Sequence, residues 1–280
     1  GSAGGTVNAL LNFGEHGGAT GWLVGNENEG LAAMFHMMNE ARIGVGLGAT
    51  ALGYSGYLHA LDYARTRPQG RPLAGKDPTT PMVPLVQHPD VRRMLLASKS
   101  YVEGALALNL YCGRLVDDER TGTDPERAHL LLDVLTPIAK SWPSQWCLVA
   151  NDLAIQVHGG YGYTREYAVE QLYRDNRLNP IHEGTHGIQA LDLLGRKVTM
   201  QGGAGLALLA ATIGGTVERA RKEHDGYATA LAAAVERVVE VTQVLWGTGD
   251  PALALANASV YLEAVGHVVL RQASHAGELA

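Results

Sequence analysis

The chain has 280 residues, of which 46% are hydrophobic and 18% charged, and this composition is typical of a folded globular protein and not of a disordered one. Its formal net charge of −6 disfavours nucleic acids and anionic membrane surfaces as partners. Cys112 and Cys147 form no CxxC pair, and neither a signal peptide nor a membrane span is recognisable, so we expect a cytoplasmic protein without a disulfide framework.

A β pattern is confined to residues 1–26. Two short apolar runs, residues 7–13 and 20–24, flank a turn rich in glycine. Because two strands alone do not make a stable sheet, we expect this segment to be the end of a β domain that pairs with other strands. The chain also begins without Met, which suggests a trimmed or processed piece of a longer protein.

Residues 27–200 have the periodicity of long helices. The pattern over residues 29–67 predicts one helix, with Leu31, Met34, Met38 and Ile43 on its apolar stripe. Glycines weaken an isolated helix but let two helices approach closely, so we expect tight packing along this one. The glycines concerned are Gly44, Gly46, Gly48, Gly53 and Gly56.

Two further long helices are predicted from prolines in their first turns. Pro89 opens the first of them. Asp124 and Pro125 form a cap-and-proline start to the second, which runs towards residue 157. Pro137 and Pro143 are expected to kink or divide it. The predicted apolar face of the helix after Pro89 comprises Val91, Met94, Leu95, Ser98, Val102, Ala105 and Leu106.

Shorter helices are predicted over residues 166–175 and 188–198, and Gly202-Gly203 predicts a joint after them. Residues 201–280 then form an additional region of two or three helices, the last beginning at Asp250-Pro251. The predicted fold is therefore mainly α. It consists of a short β remnant over residues 1–26, an antiparallel helical bundle over residues 27–200, and the additional carboxy-terminal helical region.

The segment from His182 to His186 reads HEGTH and matches the HExxH zinc motif. Zinc hydrolysis with that motif needs both histidines on one helical face, with the glutamate beside a metal-bound water. Pro180 before the motif and Gly184 within it disfavour a helix there. Glu183 is therefore either an ordinary loop carboxylate or a residue whose role depends on its neighbours.

Those neighbours resemble the carboxy-terminal domain of acyl-CoA dehydrogenases. The sequence QVHGGYGY at residues 156–163 is followed by Arg174-Asp175 and then by EGT at residues 183–185. The segments EARIGVG and ARTRPQGR resemble the two ends of the family's first long carboxy-terminal helix. The segments HPDVRRML and ALDLLGRK look most like the extended branch that includes the 3-methylmercaptopropionyl-CoA dehydrogenases.

The resemblance implies FAD-dependent oxidation of an acyl-CoA to a trans-2-enoyl-CoA, with electrons passed to electron-transfer flavoprotein. Glu183 matches the base that removes the α proton while the β hydrogen leaves as hydride to N5 of FAD. Gly184 would let the chain turn tightly beside flavin and substrate. Arg42 matches an arginine near the thioester of the substrate, although it could also be a simple packing charge.

The cofactor residues follow from the same resemblance. Arg67 would hold the FAD pyrophosphate across a subunit interface, with Gln69 beside it, although a solvated arginine is also common at a helix end. Gln156 and Gly160 match contacts to the adenosine part of FAD from a neighbouring subunit, and Thr185 matches a further cofactor contact. We therefore expect a homo-oligomer, a dimer or tetramer, and no metal.

Most of the amino-terminal portion of such an enzyme is missing from the sequence. The missing parts cover the flavin ring and half of the acyl pocket, so the chain alone is expected to bind FAD poorly. Either it is a fragment of a complete enzyme, or a partner chain supplies the missing domains. A non-catalytic helical scaffold that keeps the family's packing is an alternative from a different class, and the HExxH zinc hydrolase is a further one.

Overall fold

A computed structural model describes residues 9–72 and 77–276, and helices account for most of them. Within these ranges the α-helices are α1 (Gly30–Thr66), α2 (Pro89–Thr121), α3 (Pro125–His158), α4 (Val169–Asn176), α5 (His186–Asp192), α6 (Met200–Ala220), α7 (Asp225–Gly247), α8 (Pro251–Leu255) and α9 (Ala258–Ala276). Short 3-10 turns cover Leu85–Gln87 and Gly159–Tyr163, and a π-helical turn, Leu193–Lys197, continues from α5. The predicted mainly α fold is confirmed.

The core lies around α3, against which both α1 and α2 pack along their length. Every residue from 134 to 144 of α3 is buried, so this stretch of the helix is covered on all sides. The predicted face of α2 is confirmed: Met94, Leu95, Ser98, Val102 and Ala105 are buried, and Val91 and Leu106 are half-buried. The three long helices thus form a rigid platform for the shorter elements that follow.

Glycines of α1 set its close approach to α3. A Cβ atom at Gly46 would overlap the carbonyl oxygen of Ala139, and one at Gly53 would lie 2.6 Å from Cβ of Cys147. Gly56 likewise lies against Asn151, whereas Gly44 and Gly48 face open space and have no such role. The prediction of tight packing therefore holds for three of the five glycines.

Pro137 and Pro143 are predicted to kink or divide α3; division is wrong, and a kink stays a prediction. The helix runs without interruption from Pro125 through Pro137 and Pro143. Its start is as predicted, because Oδ1 of Asp124 accepts a hydrogen bond from the backbone N–H of Arg127 at 3.1 Å. Packing against α1 and α2 outweighs the hydrogen bonds that the two prolines remove.

The amino-terminal predictions also need correction. Residues 9–29 contain no strand, and residues 7 and 8 of the first predicted run lie outside the described ranges. The second run, with Trp22 and Val24 exposed, has no neighbouring strand in the described residues to pair with, which an extended segment requires. Leu31 and Met34 are exposed as well, so the apolar stripe of α1 is buried only from Ile43 onwards.

The additional region begins at the predicted joint. Gln201, Gly202 and Gly203 have φ values of 50°, 67° and 90°, which interrupt the helical conformation at the start of α6. Helix α6 is long and apolar enough to cross a membrane by length and composition, but its apolar residues pack against α3, α7 and α9. Asp250 caps the short α8, and α9 follows it as a further helix, so Asp250-Pro251 does not begin the last helix as expected.

Candidate functional site

The loop between α4 and α5 carries Glu183. Its backbone is left-handed at two successive residues, with φ of 52° at Glu183 and 88° at Gly184. A Cβ atom at residue 184 would lie 2.6 Å from Nε2 of Gln189, so both the backbone conformation and the available space require glycine. The Glu183 side chain is exposed, and no hydrogen bond reaches its carboxylate from the described residues.

A buried lysine holds this loop from α3. Lys140 is 0% exposed, and its Nζ donates to the carbonyl oxygens of Asn179 at 2.9 Å and Gly184 at 2.6 Å. Burial lowers the pKa of Lys140 to about 8; repulsion by Arg42 adds to this effect and attraction by Glu183 opposes it. The sequence reasoning missed Lys140, although a lysine in the middle of so apolar a helix was a signal that it has buried partners.

Gln189 of α5 fixes the loop from the other side. It is also 0% exposed, and its Nε2 donates to the carbonyl oxygen of Glu183 at 2.9 Å and to that of Gly184 at 3.4 Å. The amide oxygen of Gln189 is buried without a hydrogen-bond partner among the described residues. The backbone on both sides of the exposed carboxylate is therefore held by buried side chains.

Three buried asparagines connect the loop to the long helices. Asn179 donates to Oδ1 of Asn176 at 2.9 Å, and Asn176 donates to Oδ1 of Asn151 on α3 at 2.7 Å. Asn176 also donates to the carbonyl oxygen of Ala49 at 3.1 Å, and Asn151 donates to that of Leu52 at 2.9 Å. This network, which the sequence reasoning also missed, joins the loop to α1 and α3.

The two histidines of the HEGTH segment have separate partners and do not share a helical face. His182 precedes α5 and its Nε2 lies 3.0 Å from Oδ1 of Asn179, whereas His186 begins α5 and its Nδ1 is hydrogen-bonded to Oγ of Ser141. Burial lowers the pKa of His186 to about 4, aided by repulsion from Lys140. Among the described residues, no group of three His, Cys, Asp or Glu side chains is placed to hold a metal.

Arg42 lies beside the loop but is already engaged. Its Nη1 forms an ion pair with Oδ2 of Asp192 at 2.8 Å, and both side chains are almost fully buried. This ion pair joins α1 to α5. It gives Arg42 the packing role that the sequence offered as an alternative to a contact with the substrate. The Nε atom of Arg42 is buried without a partner in the described part of the chain, and its contact with a thioester stays a prediction.

The other predicted site residues lie together at the far end of α1. The guanidinium of Arg67 lies over the ring of Tyr161, 5.4 Å from its centroid, which brings Arg67 close to Gly160. The side chains of Arg67, Gln69 and Gln156 are exposed, and a Cβ at Gly160 would meet nothing within 4 Å. Arg67 and Gln69 are fixed through their backbones, because the Gln69 N–H donates to Val83 at 2.9 Å.

This second group fits the outer half of FAD. A guanidinium and two amide side chains, exposed beside an open glycine, are suitable donors for a diphosphate and for polar atoms of an adenosine. None of the three side chains has an ion pair or side-chain hydrogen bond within the described ranges. Thr185 belongs to the first group, where its exposed hydroxyl does not cap α5 and is free to contact a cofactor.

The structure therefore separates the predicted site residues into two groups. Glu183, Gly184, Thr185 and Arg42 form one, whereas Arg67, Gln69, Gln156 and Gly160 form the other. Positions 42 and 67 are separated by about 37 Å along α1, at a rise of about 1.5 Å per residue.

Two protein-family domains match the chain, one over the helical bundle and one over the additional carboxy-terminal region. Residues 28–198 match the acyl-CoA dehydrogenase carboxy-terminal domain, and residues 209–273 match a domain described as acetyl-CoA dehydrogenase C-terminal like. The two ranges lie on either side of the joint at residues 201–203. The 3-methylmercaptopropionyl-CoA dehydrogenase of Ruegeria pomeroyi is 45% identical over 191 residues, which are 68% of this chain and 32% of that protein.

Solved structures share the fold of nearly the whole chain. The Caenorhabditis elegans protein ACDH-11 in complex with C11-CoA matches 92% of this chain and 43% of its own, with a TM-score of 0.73 at 18% identity. An acyl-CoA dehydrogenase of Bacillus anthracis complexed with FAD matches 88% of this chain and 43% of its own, with a TM-score of 0.71 at 19% identity. The chain thus spans about a third of the length of its curated relative and less than half of these two. It belongs to the acyl-CoA dehydrogenase family, whose carboxy-terminal helical portion it represents.

Proposed function

We propose that this chain is the catalytic carboxy-terminal portion of an FAD-dependent acyl-CoA dehydrogenase, which converts an acyl-CoA to a trans-2-enoyl-CoA. The observation that carries the proposal is the placement of Glu183. Its carboxylate is exposed and accepts no hydrogen bond from the described residues, while Lys140 and Gln189 fix the backbone around it. A base for proton abstraction from carbon needs this combination of a free carboxylate and a rigid support.

In this function the carboxylate of Glu183 takes the α proton of the substrate. The α proton of a thioester is weakly acidic, so the negative charge that develops on the thioester oxygen must be stabilised as the proton leaves. The backbone N–H of Glu183 has no acceptor among the described residues and is available for that oxygen. When bound, FAD supplies the acceptor for the β hydrogen as hydride.

The cofactor would be bound between two copies of the chain. Arg42 in one group and Arg67 in the other lie about 37 Å apart along α1, so we infer that a second copy brings Arg67 and Gln156 near a Glu183 loop. Such a dimer is the assembly that the family resemblance implies. The acyl-CoA substrate and electron-transfer flavoprotein as electron acceptor belong to the same proposal, as does a cytoplasmic location.

The test uses the complete FAD-containing enzyme that carries this chain. In the Glu183→Gln variant, bleaching of the flavin absorbance by a panel of acyl-CoAs under anaerobic conditions is expected to slow by about 10²- to 10⁴-fold. The Glu236→Gln variant on α7, which changes an exposed glutamate outside the site, serves as the matched control.

Unchanged bleaching in the Glu183→Gln enzyme would remove Glu183 from the mechanism. If the enzyme with native Glu183 also fails to respond to every acyl-CoA although it is fully loaded with FAD, a non-catalytic helical scaffold becomes the better explanation. Tight zinc at one atom per chain would instead support the hydrolase alternative.

A further inference from the structure

We propose that Lys140 is a positioning residue for the reaction of Glu183, because its buried ammonium holds the loop backbone on both sides of the base. This inference rests on the proposed function, since it assigns to Lys140 a part in the same reaction. Lys140 lies on α3, 43 positions before Glu183, and no motif connects the two residues.

The contacts of the ammonium define what it holds. Nζ of Lys140 donates to the carbonyl oxygen of Asn179, four residues before Glu183, and to that of Gly184, one residue after it. The Lys140 ammonium therefore binds both ends of the segment, residues 179–184, that contains the base. Charge-assisted hydrogen bonds of this kind are roughly twice as strong as neutral ones.

The support beneath the ammonium is rigid. Lys140 lies within the fully buried stretch of α3, and its carbonyl oxygen accepts a hydrogen bond from Oγ of Ser144 at 2.6 Å. The helix at this point is packed against both α1 and α2. If the loop shifted, its hydrogen bonds to Lys140 would break, because the buried Lys140 side chain cannot move with the loop.

The loop needs such a restraint because its backbone is strained. Left-handed φ at a residue with a long side chain, as at Glu183, persists only where the surroundings enforce it. Gln189 contributes a neutral hydrogen bond to Glu183 and shares the carbonyl oxygen of Gly184 with Lys140. Of these two side chains, only Lys140 also binds the amino-terminal side of the loop, at the carbonyl oxygen of Asn179.

A role in packing alone does not explain a charged group at this position. No carboxylate among the described residues forms an ion pair with Lys140, and its 0% exposure makes the desolvation of the cation costly. A methionine would fill a similar volume without that cost. The charge is instead matched by the two loop carbonyls and by the carboxylate of Glu183, whose attraction raises the pKa of Lys140.

The charged and titratable groups that interact with Lys140 come from α1, the loop and the start of α5. Arg42 on α1 lowers its pKa, and Glu183 in the loop raises it. His182 in the loop and His186 at the start of α5 have lowered pKa values to which the charge of Lys140 contributes. Both histidines are therefore neutral near pH 7 and do not add to the positive charge of Lys140 and Arg42.

The test compares Lys140→Met with the unchanged residue in the complete FAD-containing enzyme. We expect kcat for acyl-CoA oxidation to fall by about 10- to 100-fold with little change in KM, because the base is displaced while the substrate surface remains. Lys222→Met, which removes an exposed lysine after α6, is the control.

A second variant separates positioning from folding. Lys140→Gln keeps two hydrogen-bond donors without the charge, so it is expected to recover part of kcat. If Lys140→Met does not fold, the test passes to Lys140→Gln, for which we expect a smaller fall in kcat, again with little change in KM. Amide hydrogen exchange is expected to rise in residues 179–185 and to stay unchanged in α2.

Two results would overturn the inference. One is an unaltered kcat in a folded Lys140 variant; the other is a loss of kcat that only follows loss of FAD. Glu183→Gln, measured in parallel, separates this failure from that of the proposed function. An active Glu183→Gln enzyme overturns the function itself, whereas an inactive one beside a fully active Lys140→Met enzyme overturns only the role of Lys140.

Discussion

Gly46 on α1 lies in backbone contact with Ala139 on α3, at the carbonyl oxygen that Pro143 leaves without its helical hydrogen bond. The glycine and the proline therefore act as a pair, although 97 positions separate them in the sequence. The missing side chain at Gly46 lets α1 approach the helix at the point where α3 has an unused acceptor.

Gly46→Ala is expected to destabilise the protein by about 1–3 kcal/mol, because the added methyl group forces α1 away from α3. The effect should exceed the gain of about 1 kcal/mol that alanine brings to a helix interior. Urea unfolding followed by circular dichroism measures the free energy of unfolding.

Gly48→Ala is the matched control on the same helix. A Cβ atom there meets nothing within 4 Å, so the helix gains stability without a clash and the free energy of unfolding should rise by up to about 1 kcal/mol. Equal stabilisation by both variants would show that the contact at Gly46 is not as close as described.

The sequence predicts the long elements well because their signals are local. The period of apolar residues and the cap-and-proline pairs at Asp124 and Asp250 place helix starts correctly. The buried partners of the loop escape prediction for the opposite reason. The hydrogen bond from Lys140 to Gly184 spans 44 positions and that from Asn176 to Ala49 spans 127, and only the folded chain brings such residues together.

The candidate site shows the same difference between local motifs, which the sequence reveals, and long-range contacts, which it does not. The motifs around Gly160 and Glu183 identify residues that the structure places at the surface, as the predicted contacts to a cofactor or substrate require. Motifs do not reveal that the two segments lie at different positions along α1, nor that Arg42 is paired with Asp192. Both facts are consequences of packing between helices that are distant in the sequence.

Acid is expected to destabilise the protein through His186. Its pKa is about 4 in the folded protein against an ordinary value of 6.5, so the unfolded chain binds a proton in this interval that the folded protein does not. Stability from this residue is complete above pH 6.5 and is lost as the pH falls towards 4, by about 1.4 kcal/mol for each pH unit.

Unfolding free energies measured between pH 4 and pH 7 check this expectation. His186→Gln should reduce the slope of the unfolding free energy against pH between pH 4 and pH 6.5, because the unfolded chain then binds one proton fewer in this interval. His16→Gln, which changes an exposed histidine near the amino terminus, should leave the slope as it is. A slope that is the same with and without His186 contradicts the assignment.

Mixed subunits are expected to restore activity if the cofactor is bound between two copies. Arg67→Ala and Glu183→Gln enzymes should each be nearly inactive, because each lacks one of the two groups in every site. In a mixed dimer, one site regains both residues and the other loses both. Coexpression of the two variants should therefore give about a quarter of the native rate, since about half of randomly paired dimers are mixed.

The control is a pair of variants within one group. Gln156→Ala coexpressed with Arg67→Ala should show no recovery, because both residues would act on the same cofactor half from the same copy. No recovery with Glu183→Gln would place both groups in a single subunit's site, whereas recovery in this control would show that Arg67 and Gln156 serve one cofactor from different copies.

Gly184→Ala links the conformation of the loop to catalysis. At a φ of 88° alanine is strained, and its Cβ would lie 2.6 Å from Nε2 of Gln189, so the Gln189 side chain or the loop must shift and the hydrogen bonds between them are disturbed. We expect a loss of about 1–3 kcal/mol in the free energy of unfolding. In the complete enzyme we expect a fall of about 10-fold or more in kcat, because Glu183 is displaced with its neighbour.

The comparison for Gly184→Ala is Gly187→Ala in the first turn of α5. Gly187 has no left-handed φ, and its nearest neighbour is the Thr185 hydroxyl at 4.0 Å, so alanine there should keep or raise stability. If Gly184→Ala is as stable as Gly187→Ala, the loop tolerates other conformations. Restraint by Lys140 and Gln189 would then not be needed to maintain a strained backbone. A selective loss at Gly184 instead shows that catalysis depends on the strained conformation that these two buried side chains maintain.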